Sequence, residues 1–175
     1  DMTLDRTIDF AGDRFVLNID GQTIDSKTIK PQSVSKTGRT VTYRYKAGKV
    51  LVDAVYELRG DWRFVSKHLR VSAPGKYRIK SATVFDAKLN TPVLSDYRCR
   101  GGSYGAFLRF GDTAKSTKAT FGMFAVIQNP FLKFALKDGA VSLAYEPDME
   151  WSKDYGAFES DRVCLGTYRL SGTSY

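Results

Sequence analysis

The chain has 175 residues, enough for one domain with a sizeable core, and carries 27 Lys and Arg against 19 Asp and Glu, for a formal charge of +8. Hydrophobic residues make up 42% and charged residues 26%, the balance of a folded globular chain, and no run approaches the ~18 apolar residues that span a bilayer. Cys99 and Cys164 are too few for a disulfide framework or a zinc site and read either as two small hydrophobes or as one disulfide between neighbouring strands.

In chain order the hydrophobic period is two. "TVTYRYK" sets Val41, Tyr43 and Tyr45 against Thr42, Arg44 and Lys46. "VLVDAVYEL" sets Val50, Val52, Ala54, Tyr56 and Leu58 on one side. Trp62 and Phe64 open the next strand, where large aromatics are expected to close the end of a core. His68 follows in "WRFVSKHLRV" as a surface or satisfied strand histidine. "KYRIK" places Lys76, Arg78 and Lys80 in a row that reads as a solvated sheet face. Such a row could bind an acidic polymer, but no RNA-binding signature and no helix suited to a nucleic-acid groove accompanies it. Residues 86–97 and 111–118 read as exposed loops, and "RGGSYGAF" as a glycine-assisted strand entry. "ATFGMFAVIQ" is apolar on both faces and predicts a strand held between layers. "FLKFALK" and "AVSLAY" alternate again, with Leu132, Phe134 and Leu136, then Val141, Leu143 and Tyr145, on the apolar side. "NIDGQ", "KAGK", "APGK" and "KDGA" are turn signals between these runs. The sum is an all-β protein of eleven to thirteen strands in two packed antiparallel sheets, a β-sandwich over residues 1–175.

"EPDMEWSKDYGAFESDR" (146–162) departs from this pattern. It holds Glu146, Asp148, Glu150, Asp154, Glu159 and Asp161 beside Trp151, Tyr155 and Phe158. Pro147 ends the preceding strand and the acids are poor strand formers, so a long inter-strand loop is expected. Four uses suit its residue types. A carboxylate pair could hydrolyse glycosides. Oxygen ligands could hold calcium, although the spacing matches no known loop. The acids could instead bond local backbone and Arg98, Arg100 or Arg162. Or Trp151, Tyr155, Glu159 and Asp161 could face a carbohydrate or a partner, rings against apolar sugar faces and carboxylates on hydroxyls. No nucleophile elbow, phosphate loop or metal spacing is present, so no catalytic residue, metal or cofactor is assigned.

In order, "YELRGDWRFVSKHLRV", "YRIKSATVF", "GMFAVIQNPF", "LAYEPDM" and "YGAFESDRVCLGTYRLSG" resemble the N-terminal galactose-mutarotase-like β-sandwich, or supersandwich, of bacterial alpha-galactosidase-like glycoside hydrolases. The resemblance covers roughly residues 40–172 and implies a non-catalytic domain, part of a longer secreted or periplasmic chain. A (β/α)₈ barrel after residue 175 would be its partner and would carry the catalytic aspartates. A free-standing carbohydrate-binding or interaction module and an aldose mutarotase-like enzyme are the alternatives. The second would need His68 as its acid, and no family motif surrounds that residue.

Overall fold

A computed structural model describes residues 7–99, 104–111 and 117–170. Among them the chain is all-β, fifteen strands and one 3-10 turn, with no α-helix. Among the described residues no helix is long and apolar enough to cross a membrane. The six-stranded first sheet runs β11 (Lys133–Lys137), β12 (Ala140–Tyr145), β7 (Lys76–Leu89), β1 (Phe10–Ile19), β2 (Gln22–Asp25), with β13 (Met149–Ser152) also on β7. The nine-stranded second sheet runs β3 (Ser33–Thr37), β4 (Thr40–Ala47), β5 (Val50–Glu57), β6 (Phe64–Ser72), β15 (Val163–Arg169), β10 (Phe121–Ile127), β9 (Gly105–Phe110), β8 (Val93–Cys99), with β14 (Phe158–Glu159) also on β6.

Every described pairing is antiparallel, both between strands joined by a short turn, such as β4 and β5, and between strands distant in sequence, such as β1 and β7. Asp20-Gly21 and Asp138-Gly139 both take positive φ at two consecutive positions, the two-residue hairpin turn whose twist matches the strands it joins. The alternating residues do what their period requires. Phe15, Leu17, Ile79 and Leu143 from the first sheet meet Val52, Leu69, Leu108, Phe110 and Met123 from the second in one buried core. Each such side chain contributes roughly 1.5–3 kcal/mol of transfer free energy.

Some expectations change. Residues 86–97 are the end of β7, a short turn and the start of β8. Residues 112–116 lie outside the described residues, as do 100–103 of the glycine-rich segment. β10 is interior to its sheet but not held between layers. Pairing places Tyr97, Phe107, Phe124, Gly166 and Phe64 in one cross-strand row on the sheet's outer face. Trp62 stacks on Phe64 at 4.7 Å, with the Arg59 guanidinium 4.6 Å from its ring. These two aromatics therefore cover the outside of the sheet rather than close the core. A Cβ at Gly166 would collide with the Phe124 ring, so glycine lets the rings pass over the strand.

The cysteines are both free. They share a cross-strand row but sit three strands apart, about 14 Å at ~4.8 Å per strand, beyond disulfide reach. His68 is neither exposed nor satisfied. It is 5% exposed on the outer face of β6, and its Nδ1 has no hydrogen-bond partner among the protein atoms.

Candidate functional site

Two strands are broken, and the breaks face each other across one cleft. β12 pairs with the second half of β7 and β13 with the first, from Tyr145↔Ala82 to Met149↔Ile79. The chain leaves the ladder at Glu146–Asp148, where Pro147 lacks an N–H and Asp148 takes φ 44°. β14 and β15 lie end to end along β6 in the same way, from Glu159↔Arg70 to Val163↔Lys67. Between them Ser160 spans the gap, its N–H donating to the Leu69 carbonyl and its Oγ accepting from the Leu69 N–H. The 146–162 segment is thus not a loop. It is two short strand pieces, one in each sheet, joined by a 3-10 turn at Lys153–Tyr155 that carries the chain across.

The cleft has a volume of about 410 Å³. Its apolar wall is Phe131, Pro147, Met149, Trp151 and Phe158, and its polar groups are Asn129, Tyr145, Glu146, Glu159 and Asp161. Three of the four residues singled out in the sequence, Trp151, Glu159 and Asp161, line it together. Tyr155, the fourth, stands beside it, 75% exposed and edge-on to Trp151 at 5.8 Å. Phe131, which the sequence reading passed over, is 80% exposed and is the most accessible apolar side chain in the cleft.

Hydrogen bonds knit three separate segments into this shape. Asn129 Nδ2 donates to Asp161 Oδ2 at 2.7 Å, and Asn129 Oδ1 accepts from the Phe131 N–H at 2.8 Å. The Tyr145 hydroxyl accepts from the Asp161 N–H at 3.0 Å. Burial pushes the Tyr145 phenol up to about 12, so it keeps its proton throughout the neutral range. "QNPF", "LAYEPDM" and "FESDR", the motifs that carried the resemblance, therefore converge on one place, and Asp161 is the joint. Trp151 is half-buried, donates from Nε1 to the Gly156 carbonyl at 3.1 Å and meets Phe158 edge-on at 5.5 Å. It is a wall held from behind.

Three of the six acids form ion pairs within the chain, though with other partners than expected. Glu146 meets Lys133 at 2.7 Å, Asp148 meets Arg78 at 3.0 Å and Glu159 meets Arg70 at 3.1 Å. Arg162 bonds Glu57 instead, Arg98 bonds Asp96, and Arg100 lies outside the described residues. The Arg78 guanidinium holds the Asp148 carboxyl below its ordinary range. Exposed pairs of this kind are weak and exchange readily, which leaves the Glu146 and Glu159 oxygens open to ligand hydroxyls. Among the described residues no group of three or more His, Cys, Asp or Glu is arranged to hold a metal ion. The cleft thus brings together the Phe131, Trp151 and Phe158 rings, three carboxylates and one side-chain amide.

No protein-family model and no curated protein matches the sequence. Solved structures do match the fold. A structure described as "Putative kojibiose phosphorylase from human microbiome" aligns over 92% of this chain and 22% of its own, with TM-score 0.57 and 11% identity. A polysaccharide lyase aligns over 91% of this chain and 26% of its own, with TM-score 0.51 and 12% identity. At such identities the likeness is one of fold. This antiparallel β-sandwich is a fold that both of these larger enzymes contain, and the chain spans about a quarter of the length of each.

Proposed function

We propose that this chain is a non-catalytic β-sandwich domain, galactose-mutarotase-like, of a larger carbohydrate-active enzyme. Its Trp151 cleft meets carbohydrate at the mouth of an adjoining catalytic domain. The observation that carries the reading is the convergence of Phe131, Trp151, Glu159 and Asp161 at two facing strand breaks. Interrupting two ladders forfeits backbone pairing, and the fold retains that cost where it places exposed rings beside carboxylates. The similarity of the sandwich to parts of two enzymes named for carbohydrate substrates supports the same reading.

The test is the double substitution Phe131→Ala with Tyr155→Ala in the longer protein that carries this domain. Both rings are at least three-quarters exposed, so the fold is expected to survive. KM for an oligosaccharide is expected to rise roughly tenfold, the loss of one or two stacking contacts. An unchanged KM refutes the carbohydrate role. Sugar mutarotation by the 175-residue chain itself, abolished by His68→Ala, would establish the catalytic alternative.

A further inference from the structure

A second cleft, sharing no lining residue with the first, opens beside β4. Asp13, Val41, Tyr43, Tyr45 and Tyr56 enclose about 490 Å³ there. By register Val34, Tyr43 and Ala54 lie on one face of β3, β4 and β5, the face that forms the core further into the sheet. At this end the cover is incomplete: Val34 is 56% exposed and Tyr43 and Tyr45 are half-buried.

Asp13 reaches this cleft because β1 breaks register between Ala11 and Arg14, just after Gly12 at φ 68°. Such bulges re-aim a side chain. The carboxylate is then held from two sides. Lys67 Nζ donates to Oδ1 at 2.7 Å and the Tyr56 hydroxyl donates to Oδ2 at 2.6 Å. Lys67 is 1% exposed, with its ammonium 5.3 Å from the Tyr56 ring and 5.7 Å from the Phe85 ring, and it also donates to the Arg14 carbonyl at 3.3 Å. Burial works against its charge, and Asp13 works for it.

A buried ammonium is a costly way to fill a core, since apolar side chains replacing a buried ion pair as a whole serve stability as well or better. What Lys67 does that an apolar residue would not is hold the Asp13 carboxylate in one orientation at the edge of a tyrosine-lined cleft. Among the described residues each carboxylate oxygen accepts one side-chain hydrogen bond, and a carboxylate oxygen has capacity for a second. The walls are fixed as well: Tyr43 meets Tyr56 edge-on at 5.8 Å and Tyr45 meets Phe15 edge-on at 5.1 Å. A preorganised acceptor between aromatic faces suits a ligand with an apolar ring face and equatorial hydroxyls, and its negative charge disfavours an acidic one.

We propose that the Asp13–Tyr43–Tyr45–Tyr56 cleft is a binding site for a neutral pyranose sugar, with Lys67 as a positioning residue acting through Asp13. This site stands independently of the Trp151 cleft. The test is a titration of the isotopically labelled 175-residue chain with maltotriose, cellotriose and trigalacturonate, followed by amide and tyrosine ring signals. At least one neutral trisaccharide is expected to shift Gly12–Arg14 and Tyr43–Tyr45, and trigalacturonate is not. Asp13→Asn and Tyr43→Ala are each expected to weaken that binding about tenfold or more. Lys67→Met is expected to keep the folded spectrum, to lower the denaturation midpoint because Asp13 loses its cation, and to weaken binding similarly in the protein that remains folded. No shift at these residues with either neutral trisaccharide, binding of trigalacturonate alone, or unchanged affinity in folded Asp13→Asn and Tyr43→Ala overturns the proposal. The Trp151 cleft reports through its own amides, so failure at one site is distinguished from failure at the other.

Discussion

Trp151 and Phe131 line the same cleft, yet the structure gives their removal opposite consequences. Trp151 is half-buried, bonded through Nε1 to Gly156 and packed edge-on against Phe158 and Tyr155. Complete burial would set the cost of Trp→Ala at about 3–5 kcal/mol, and half-burial with one exposed hydrogen bond brings it to about 2 kcal/mol. For a chain of this length each kcal/mol moves the melting temperature by roughly 2–4 °C, so Trp151→Ala is expected to lower Tm by about 4–8 °C. Phe131 is 80% exposed, and Phe131→Ala is expected to leave Tm within about 1 °C. Scanning calorimetry of the two variants beside the parent reads both numbers in one experiment. A Trp151→Ala protein as stable as the parent, or a Phe131→Ala protein several degrees weaker, would refute the assignment of one ring as scaffold and the other as contact surface.

Three further outcomes follow from single positions. Burial, reinforced by Arg162, lowers the His68 pKa, so the unfolded chain takes up this proton first as pH falls. Stability from this group is complete above about pH 6.5 and declines as pH drops through that value toward the depressed folded one. Urea midpoints at pH 7.5 and 5.0 should differ less in His68→Gln than in the parent, and an equal difference would count against it. Gly105 has φ 124° where β9 begins, and a Cβ there would meet the Ala125 carbonyl backbone, so Gly105→Ala is expected to cost about 3 kcal/mol or more by chemical denaturation. Both cysteines should titrate as thiols in denaturant without reductant, and fewer than two would contradict the strand register.

The sandwich was legible because most strands are half-buried and long enough to show a period of two, and because Asp-Gly pairs punctuate them. The 146–162 segment was misread as a loop because its strands have four and two residues, too short for alternation to register, and its acids and proline argue against strand. The cleft residues Trp151, Glu159 and Asp161 were nonetheless found, since a local excess of acids and aromatics is visible in sequence. Phe131 was missed because one phenylalanine after a turn carries no sign of its exposure; only Asn129, bonding across to Asp161, sets it there. Lys67 did leave a trace. The alternation of Val65, Lys67, Leu69 and Val71 puts a lysine on the inward face of a strand, and a charge in that position signals an acidic partner. The partner, Asp13, lies 54 residues away on a bulge that no local pattern announces.

Whether the Trp151 cleft meets carbohydrate beside a catalytic domain is decided by a crystal structure of the longer protein carrying this domain, with a bound oligosaccharide. A sugar ring is expected against Phe131 or Trp151, with a hydroxyl within hydrogen-bond distance of Glu159 or Glu146. A saccharide bound entirely by the catalytic domain, with the 146–161 cleft turned to bulk solvent away from it, would refute the proposed role.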